Sequence, residues 1–394
     1  MKTLTTFLTE ATNEDKLTHL EHAEDHHINS GHAGFKHAFD TLHHVHELIS
    51  GRKSKAKVTT KFDGSPSIVF GTNPENGKFF VASKSAFNAT PKLNYTHEDV
   101  EKNHGHAPGL VSKLKAALTH LPKVAPKEGV YQGDFMYNKD DGDVRQEGNK
   151  LHFKPNTITY STNADSARSN SVEGRKIANS KIGVVVHTAY KGSNLAKMKA
   201  EYNADLGDFK KHTHVNLISP HVDHTNAKYS KAMQKEFTTH MQNAIESNEG
   251  LKNYEHLTGH EDHVKTYINK KVREGGPLTV AGYTQHLLDH YKKKADALKT
   301  PAGKQGHIQR GAEMVAHAQK NSKHFETTFE VHKHLQKAKN VLVNALSHQP
   351  TFEHHVGGQK VKPEGFVATI NNRPTKLVDR DEFSRLNFLQ SRER

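Results

Sequence analysis

Cysteine is absent from the 394 residues, so neither a disulfide framework nor a cysteine-ligated zinc can hold any part of the fold. Its absence is compatible with an intracellular setting without requiring one. No apolar run approaches the ~20 residues that cross a bilayer, which excludes an integral helical membrane protein. Acidic residues are in deficit, 43 against 56 Lys and Arg, and the net charge of +13 favours polyanionic partners such as nucleic acid or nucleotides. A generally basic surface is the plain alternative. Histidine, at 33 residues, is abundant but spread through polar segments, which implies a titratable surface more than one metal cage. The length allows two or three domains.

Read in order, Leu4, Phe7 and Leu8 suit a short amphipathic helix, too polar for a secretory leader. From Asn13 to Ser50 large apolar residues recur at helical spacing, interrupted by Gly31 and Gly34 and ended by Gly51, which predicts a two-helix cap. His26 with His27, and His43, His44 and His46, lack the carboxylate of a zinc signature and read as helix surface. After Gly51 the period becomes strand-like. The runs Ser67 to Phe70 and Lys78 to Val81 flank Asn76-Gly77, a hairpin signal. Thr96 with Asp99 forms a capping box for a helix through Leu118. Strands are expected at 129–137, 151–154, 157–161 and 181–190, with a polar loop carrying some helix at 162–180. Helical periodicity then runs through Lys228 to Ser247, Tyr254 to Arg273, Thr279 to Leu298 and Gln305 to Leu346. His256 and His260 have zinc-helix spacing, but no glutamate follows the first, and Gly259 weakens the helix.

Between a β-rich run, Lys57 to Thr60, and the Ser67 to Phe70 run stands Lys61-Phe62-Asp63-Gly64. A lysine at a strand end, followed by an acid and a glycine turn, can present an amine to a phosphate; it is nucleophilic only when neutral. Asp134, one acid in an apolar strand, is costly unless paired or functional. Lys84 would return a second cation towards the first.

Lys61, Asp63 and Gly64, then Asp134, the strand reaching His187, Glu364-Gly365-Phe366-Val367, and Lys376-Leu377-Val378 stand in the order of the motifs of the covalent nucleotidyltransferases. The chain thus resembles ATP-dependent DNA and RNA ligases and mRNA capping enzymes. That resemblance implies an antiparallel-sheet α+β core in which Lys61 attacks the nucleotide α-phosphate, Asp63 and Gly64 shape its turn, and Lys376 neutralises the phosphate. It makes Glu364 and Asp134 the Mg²⁺ (or Mn²⁺) contacts, with Asp134 in place of the usual motif III glutamate and Lys84 in place of an arginine. Thr60, Phe62, Tyr160 and His187 would line the nucleotide, with Phe153, Tyr160 and the Val186-His187 region all open as the base-stacking group. ATP over GTP follows from prevalence, since Thr60 stands where a base-reading glutamate is common. Val378 replaces the second motif V lysine.

The expected domains are a capsid-targeting peptide at 1–10, a helical cap at 11–50, a catalytic core at 51–192, a helical insertion at 193–356, and the core's last motifs at 357–394, with no C-terminal OB-fold. The peptide reading rests on Met1-Lys2-Thr3, Phe7-Leu8 and Glu10-Ala11, which resemble the head-targeting signal of tailed-phage internal proteins, cut after glutamate by a prohead protease. It implies a place in the capsid interior and then the host cytoplasm. The leading function is polynucleotide ligation through lysyl-AMP on 5′-phosphate and 3′-hydroxyl ends, RNA-ligase-like because the OB-fold is missing. The alternatives are an inactive basic head protein that binds packaged DNA, and nucleotidyl transfer to an acceptor other than nucleic acid.

Overall fold

Strand pairing across long sequence gaps organises half of this chain and helix packing the other half. In the computed structural model, residues 20–164, 172–202, 204–348 and 350–382 are described. They divide into a sheet-rich unit, 57–223 with 349–374, and a helical unit, 21–56 with 224–348 and the segment from 375 onward. The architecture is mixed α/β, and its sheets are antiparallel apart from one parallel pair. The peptide expected at 1–10 lies outside the described residues.

In chain order, α1 (His26–Ile49) leads to β1 (Lys57–Thr60), β2 (Ser67–Thr72) and β3 (Phe79–Ala82). Next come α2 (His97–His104), α3 (Pro108–His120), β4 (Val130–Asn138), β5 (Val144–Glu147), β6 (Lys150–Phe153) and β7 (Thr159–Asn163). Then α4 (Val172–Asn179), β8 (Ile182–Lys191), β9 (Lys199–Tyr202) and β10 (Val215–Ile218) complete the long first part of the sheet unit. The helical stretch holds α5 (Lys231–Glu249), α6 (Glu261–Glu274), α7 (Val280–Asp296), α8 (Pro301–Lys320) and α9 (Ser322–Leu346). Last come β11 (Glu353–Val356), β12 (Gln359–Val361), β13 (Phe366–Ile370) and β14 (Arg373–Leu377).

In the sheet unit, β10-β8-β4-β2-β3 form the central sheet, with β9 added to β8. Both faces are covered. Ile68, Phe70, Phe135, Val184 and Val186 meet Val111, Leu114 and Ala117 of α3, while Val69, Phe80 and Val130 pack with Phe87, Tyr190 and Met198. The Thr96–Asp99 capping box forms, but the expected helix is split: Gly105 ends α2, and Pro108, without an N–H, starts α3. A second sheet runs β12-β11-β7-β6-β5, and a third, small one runs β1-β13-β14.

The helical unit differs from expectation at its borders. Residues 193–223 carry β9 and β10 of the central sheet, so the helical insertion begins at 224, not 193. Non-helical backbone at Ser30 and Gly31, where Gly31 takes φ +54°, divides α1 into two helices as expected, whereas Asn321 separates α8 from α9 where one helix was expected. Phe325, Phe329, His332, Leu335, Ala338, Leu342 and Leu346 of α9 are all buried, so this face is core. The segment after 374 belongs here as well, because the Lys376 N–H donates to Glu21 O at 2.7 Å and Arg380 is held by Asp25.

That last contact is part of a buried charge network. Lys339 Nζ lies 2.6 Å from Glu24 Oε1, both side chains fully buried. Arg380 donates to both Asp25 oxygens, at 2.9 and 3.0 Å, and to Asn269 Oδ1 at 2.6 Å, while His332 Nε2 lies 3.2 Å from Asp25 Oδ1. Burial works against the charged form of Glu24, yet Lys339, His22 and Arg380 prevail and hold its carboxyl down to about 2. Removing one partner of such a pair strands a charge in the interior. Lys339→Ala is expected to cost about 3–5 kcal/mol of unfolding free energy, whereas Glu24→Leu with Lys339→Met recovers most of it. Denaturant titration of the three proteins decides; a loss of under half that range in Lys339→Ala would refute the network's role.

Buried histidines add an acid limit. Burial pushes His22 and His27 down to about 3, and His256 and His260 to about 4. Each folded value lies below the unfolded ~6.5, so the stability these groups contribute is complete above pH ~6.5 and is lost as pH falls towards 4. We expect cooperative weakening of the helical unit across that window, and a shallower loss in His27→Leu. Chemical denaturation from pH 7.5 to 4.5 reads it; a flat profile in both proteins would contradict the assignment.

Candidate functional site

β1 is held on both sides. Its register with β13 is Lys57↔Thr369 to Thr60↔Phe366, and on its other edge the Thr60 N–H donates to Pro220 O (2.6 Å) and the Val222 N–H to Val58 O (3.2 Å). The ladder continues one step further, with the Lys61 N–H donating to Gly365 O at 2.9 Å. Gly365 has φ +150°, a backbone that favours glycine, and the residue before it is Glu364. The two chain ends therefore meet: Lys61 Nζ donates to Glu364 Oε1 at 2.5 Å, across 303 residues of sequence. The lysine side chain keeps 27% of its surface exposed, the glutamate only 9%.

The next two residues anchor the turn. The Asp63 carboxylate accepts from Asn156 Nδ2 (2.9 Å) and from the backbone N–H groups of Thr157 (2.8 Å) and Ile158 (3.2 Å). Its own N–H donates to the Tyr160 hydroxyl at 2.7 Å. Asp63 thus ties the lysine turn to the start of β7. Gly64 is set by close approach: a Cβ there would lie 2.5 Å from Asp134 Cβ and 3.1 Å from Phe135 O. No larger residue lets β4 come so near the lysine turn.

Asp134, opposite Ser67 on β2 and Val185 on β8, faces His187, whose Nε2 lies 3.7 Å from its Oδ2. The β4–β8 ladder jumps from Gln132↔Thr188 to Gly133↔Val186, leaving His187 as the extra, bulged residue. Bulges re-aim a side chain, and this one brings His187 to the acid. Lys84 comes off the same end of the sheet, since β3 closes with Ala82 opposite Val69, two residues from the Ser67 that pairs with Asp134. It is exposed, on the turn Lys84–Phe87.

Tyr160 marks the centre of this arrangement. Burial holds its hydroxyl well above the usual tyrosine range, opposed by its hydrogen bond to Asp63 and reinforced by the Asp63, Glu364 and Asp134 carboxylates. One amine, three carboxylates and one histidine converge there. Sequence spacing gave no reason to expect this post under the lysine turn. As base-stacking candidates Tyr160 and Phe153 are corrected: both are essentially fully buried, stacked 5.4 Å apart, with Phe62 and Phe352 closing on Tyr160. Phe62 is likewise 6% exposed, so it supports the turn from below. Of the aromatic candidates for stacking, His187 alone keeps a partly exposed ring, 33%. Lys376 lies on β14, in the part of that strand that belongs with the helical unit. The connection leading to it turns on Asn371 and Asn372, both at positive φ, a backbone that Asn tolerates better than most residues.

Among the described residues no group of three or more His, Asp or Glu is placed to hold a metal ion by protein ligands alone. The arrangement is that of a solvent-reachable lysine pinned by a buried carboxylate in a mixed α/β unit. The chain belongs to DUF6267, a family of unknown function, whose model matches residues 13–392. No curated protein and no solved structure matches it.

Asp63→Ala would leave the Thr157 and Ile158 N–H groups without their acceptor, and a destabilisation of about 1–3 kcal/mol is expected. Hydrogen exchange should show the loss at 61–64 and 156–158 first. Unchanged exchange at both segments would show that the tie is not structural.

Proposed function

We propose that this chain is a nucleotidyltransferase that takes AMP from ATP onto Lys61 and passes it to a nucleic-acid end, in the manner of RNA and DNA ligases. One observation carries the reading: strand pairing between β1 and β13 brings Lys61 of the Lys-x-Asp-Gly turn against Glu364 of the Glu-Gly-Phe-Val strand, at 2.5 Å. These are the two segments whose order along the chain resembles motifs of that superfamily, and random placement would not join them.

The chemistry is nucleophilic. The neutral Lys61 amine attacks the α-phosphorus; the N–P bond forms as the α–β phosphoanhydride bond breaks, pyrophosphate leaves with the electron pair, and the amine's proton passes to solvent. Glu364 holds the amine before nucleotide enters, so binding must part this pair. Asp63 and Gly64 keep the turn close enough to β4 for Asp134 to face the same space. A divalent cation fits: with one or two carboxylates present and no full protein cage, Mg²⁺ or Mn²⁺ would be held by Glu364 or Asp134 together with waters and phosphate oxygens, and would neutralise the triphosphate. Lys84 is the cation assigned to the phosphates, and His187 is the base-facing candidate. Transfer to a 5′-phosphate and displacement of AMP by a 3′-hydroxyl would complete ligation.

A second reading has its own support. Val378, where the superfamily commonly has a second lysine, is 4% exposed and apolar, which suits a basic head protein that binds packaged DNA without catalysis.

Intact mass after incubation with Mg²⁺ and ATP or GTP separates the two. A covalent AMP adduct is expected on the wild type, none on Lys61→Ala, and on Glu364→Gln a rate lowered on the order of 10²-fold, as for other groups that stabilise transferring charge. Folded protein that forms no adduct with either nucleotide would sink the enzyme reading; an adduct on Lys61→Ala would sink the residue.

A further inference from the structure

The hairpin of α7 and α8 carries a run of positive charge that the lysine chemistry leaves unused. Between Lys292 and Arg310 the sequence places six cations, Lys292, Lys293, Lys294, Lys299, Lys304 and Arg310, against one acid, Asp296. All six cations are exposed, none has an ion-pair partner among the described residues, and in the whole stretch Ala295 is the one buried residue. The two helices pack on each other here and on little else: the buried anchors, Tyr291 and Gly311, lie just outside the stretch. Six cations with about five net charges in nineteen or so residues repel one another, which costs stability in the free protein. A polyanion relieves that repulsion.

We propose that residues 292–310 form a nucleic-acid-binding arm that grips the phosphodiester backbone through these lysines and Arg310. The choice of nucleic acid as the polyanion rests on the ligase-like reading, but the arm's own features agree with it. Gln305 and Gln309, one turn apart on one face of α8, offer hydrogen bonds, and the stretch is built for contact with a charged chain more than for insertion into lipid. Its exposed apolar residues, Leu298 at 37% and Ile308 at 51%, are too few for an amphipathic membrane helix. Contacts of this kind recognise charge spacing and carry no base sequence, so single-stranded and nicked substrates of any sequence should be held alike.

The test uses the full chain and a labelled 30-nucleotide RNA and a nicked DNA duplex, ~30 in length by design for a site of this span. Dissociation constants are measured over a salt series without nucleotide. The variant Lys292→Gln, Lys293→Gln, Lys294→Gln should weaken binding by about tenfold at low salt and make the slope of log K against log salt shallower by about 2, as two or three phosphate contacts are lost. A control of equal charge, Lys53→Gln, Lys55→Gln, Lys127→Gln, should leave both quantities near wild type. Circular dichroism checks that each variant is folded. Equal weakening in the two triple variants would mean that overall charge alone is at work and would overturn the arm. So would unchanged binding in the first, no binding of either nucleic acid by the wild type, or stronger capture by phosphatidylserine vesicles than by nucleic acid. Adduct formation on Lys61 is read separately in the same proteins. Its absence throughout would sink the lysine reading while salt-dependent binding through 292–294 would keep the arm.

Discussion

The antiparallel ladder between β1 and β13 is the constraint on which the candidate site depends. Four residue pairs and the bond from Lys61 N–H to Gly365 O bring residue 61 and residue 364 to one point, and only then can a lysine and a glutamate so far apart in sequence form an ion pair. Burial of Phe366, Ala368 and Ile370 drives this strand into place. The loop-closure entropy of a gap of this length is paid once by that packing, and the polar pair at its end is added at little further cost. Position therefore comes from apolar burial, while chemistry comes from the two charges that the burial sets against each other.

The same division of labour recurs around the pair. Phe62, Phe153, Tyr160 and Phe352 make a dry aromatic floor, and the Tyr160 hydroxyl is its one polar outlet, bonded to the Asp63 N–H. Asp63 spends its carboxylate on three N–H donors, which makes it a brace of the turn and leaves Glu364 and Asp134 as the acids that face it. A side chain that sequence comparison would group with the reacting residues is, in physical terms, the support that keeps Lys61 where it is. The bulge at His187 is a similar device, a local irregularity in an otherwise regular ladder that turns a ring towards an acid.

The helical unit is held in a different way. Its apolar core of Tyr267, Tyr283, Leu287, Phe325 and Phe329 is ordinary, but Glu24, Asp25, Lys339 and Arg380 are buried with their charges, drawn from segments near the first and last described residues and from α9 between them. Such pairs gain little over apolar packing and lose heavily when split. They make the unit depend on all three segments being present together. The many histidines fall on the same principle: His22, His27, His256 and His260 are interior groups kept neutral by burial, so the histidine content that composition assigns to a solvated surface is in part core.

Local pattern alone was enough for much of this. Alternation located β2, β3, β4 and β8, period-3.6 spacing located α5, α6, α7 and the buried face of α9 though not the break between α8 and α9, and the capping box at Thr96 was readable in four letters, because each of these depends on neighbours within a few residues. The Lys61 to Gly64 turn and the Glu364 strand were also visible as residue types. What sequence could not decide was everything that depends on partners far along the chain: that residues 193–223 complete a sheet, that the last described segment joins the helical unit, that Tyr160 lies under the lysine turn instead of beside a ligand, and that Lys61 meets Glu364. Spacing along a chain encodes which face of an element is apolar, but which two faces meet is settled by the competition among all possible burials, and that outcome exists only in three dimensions.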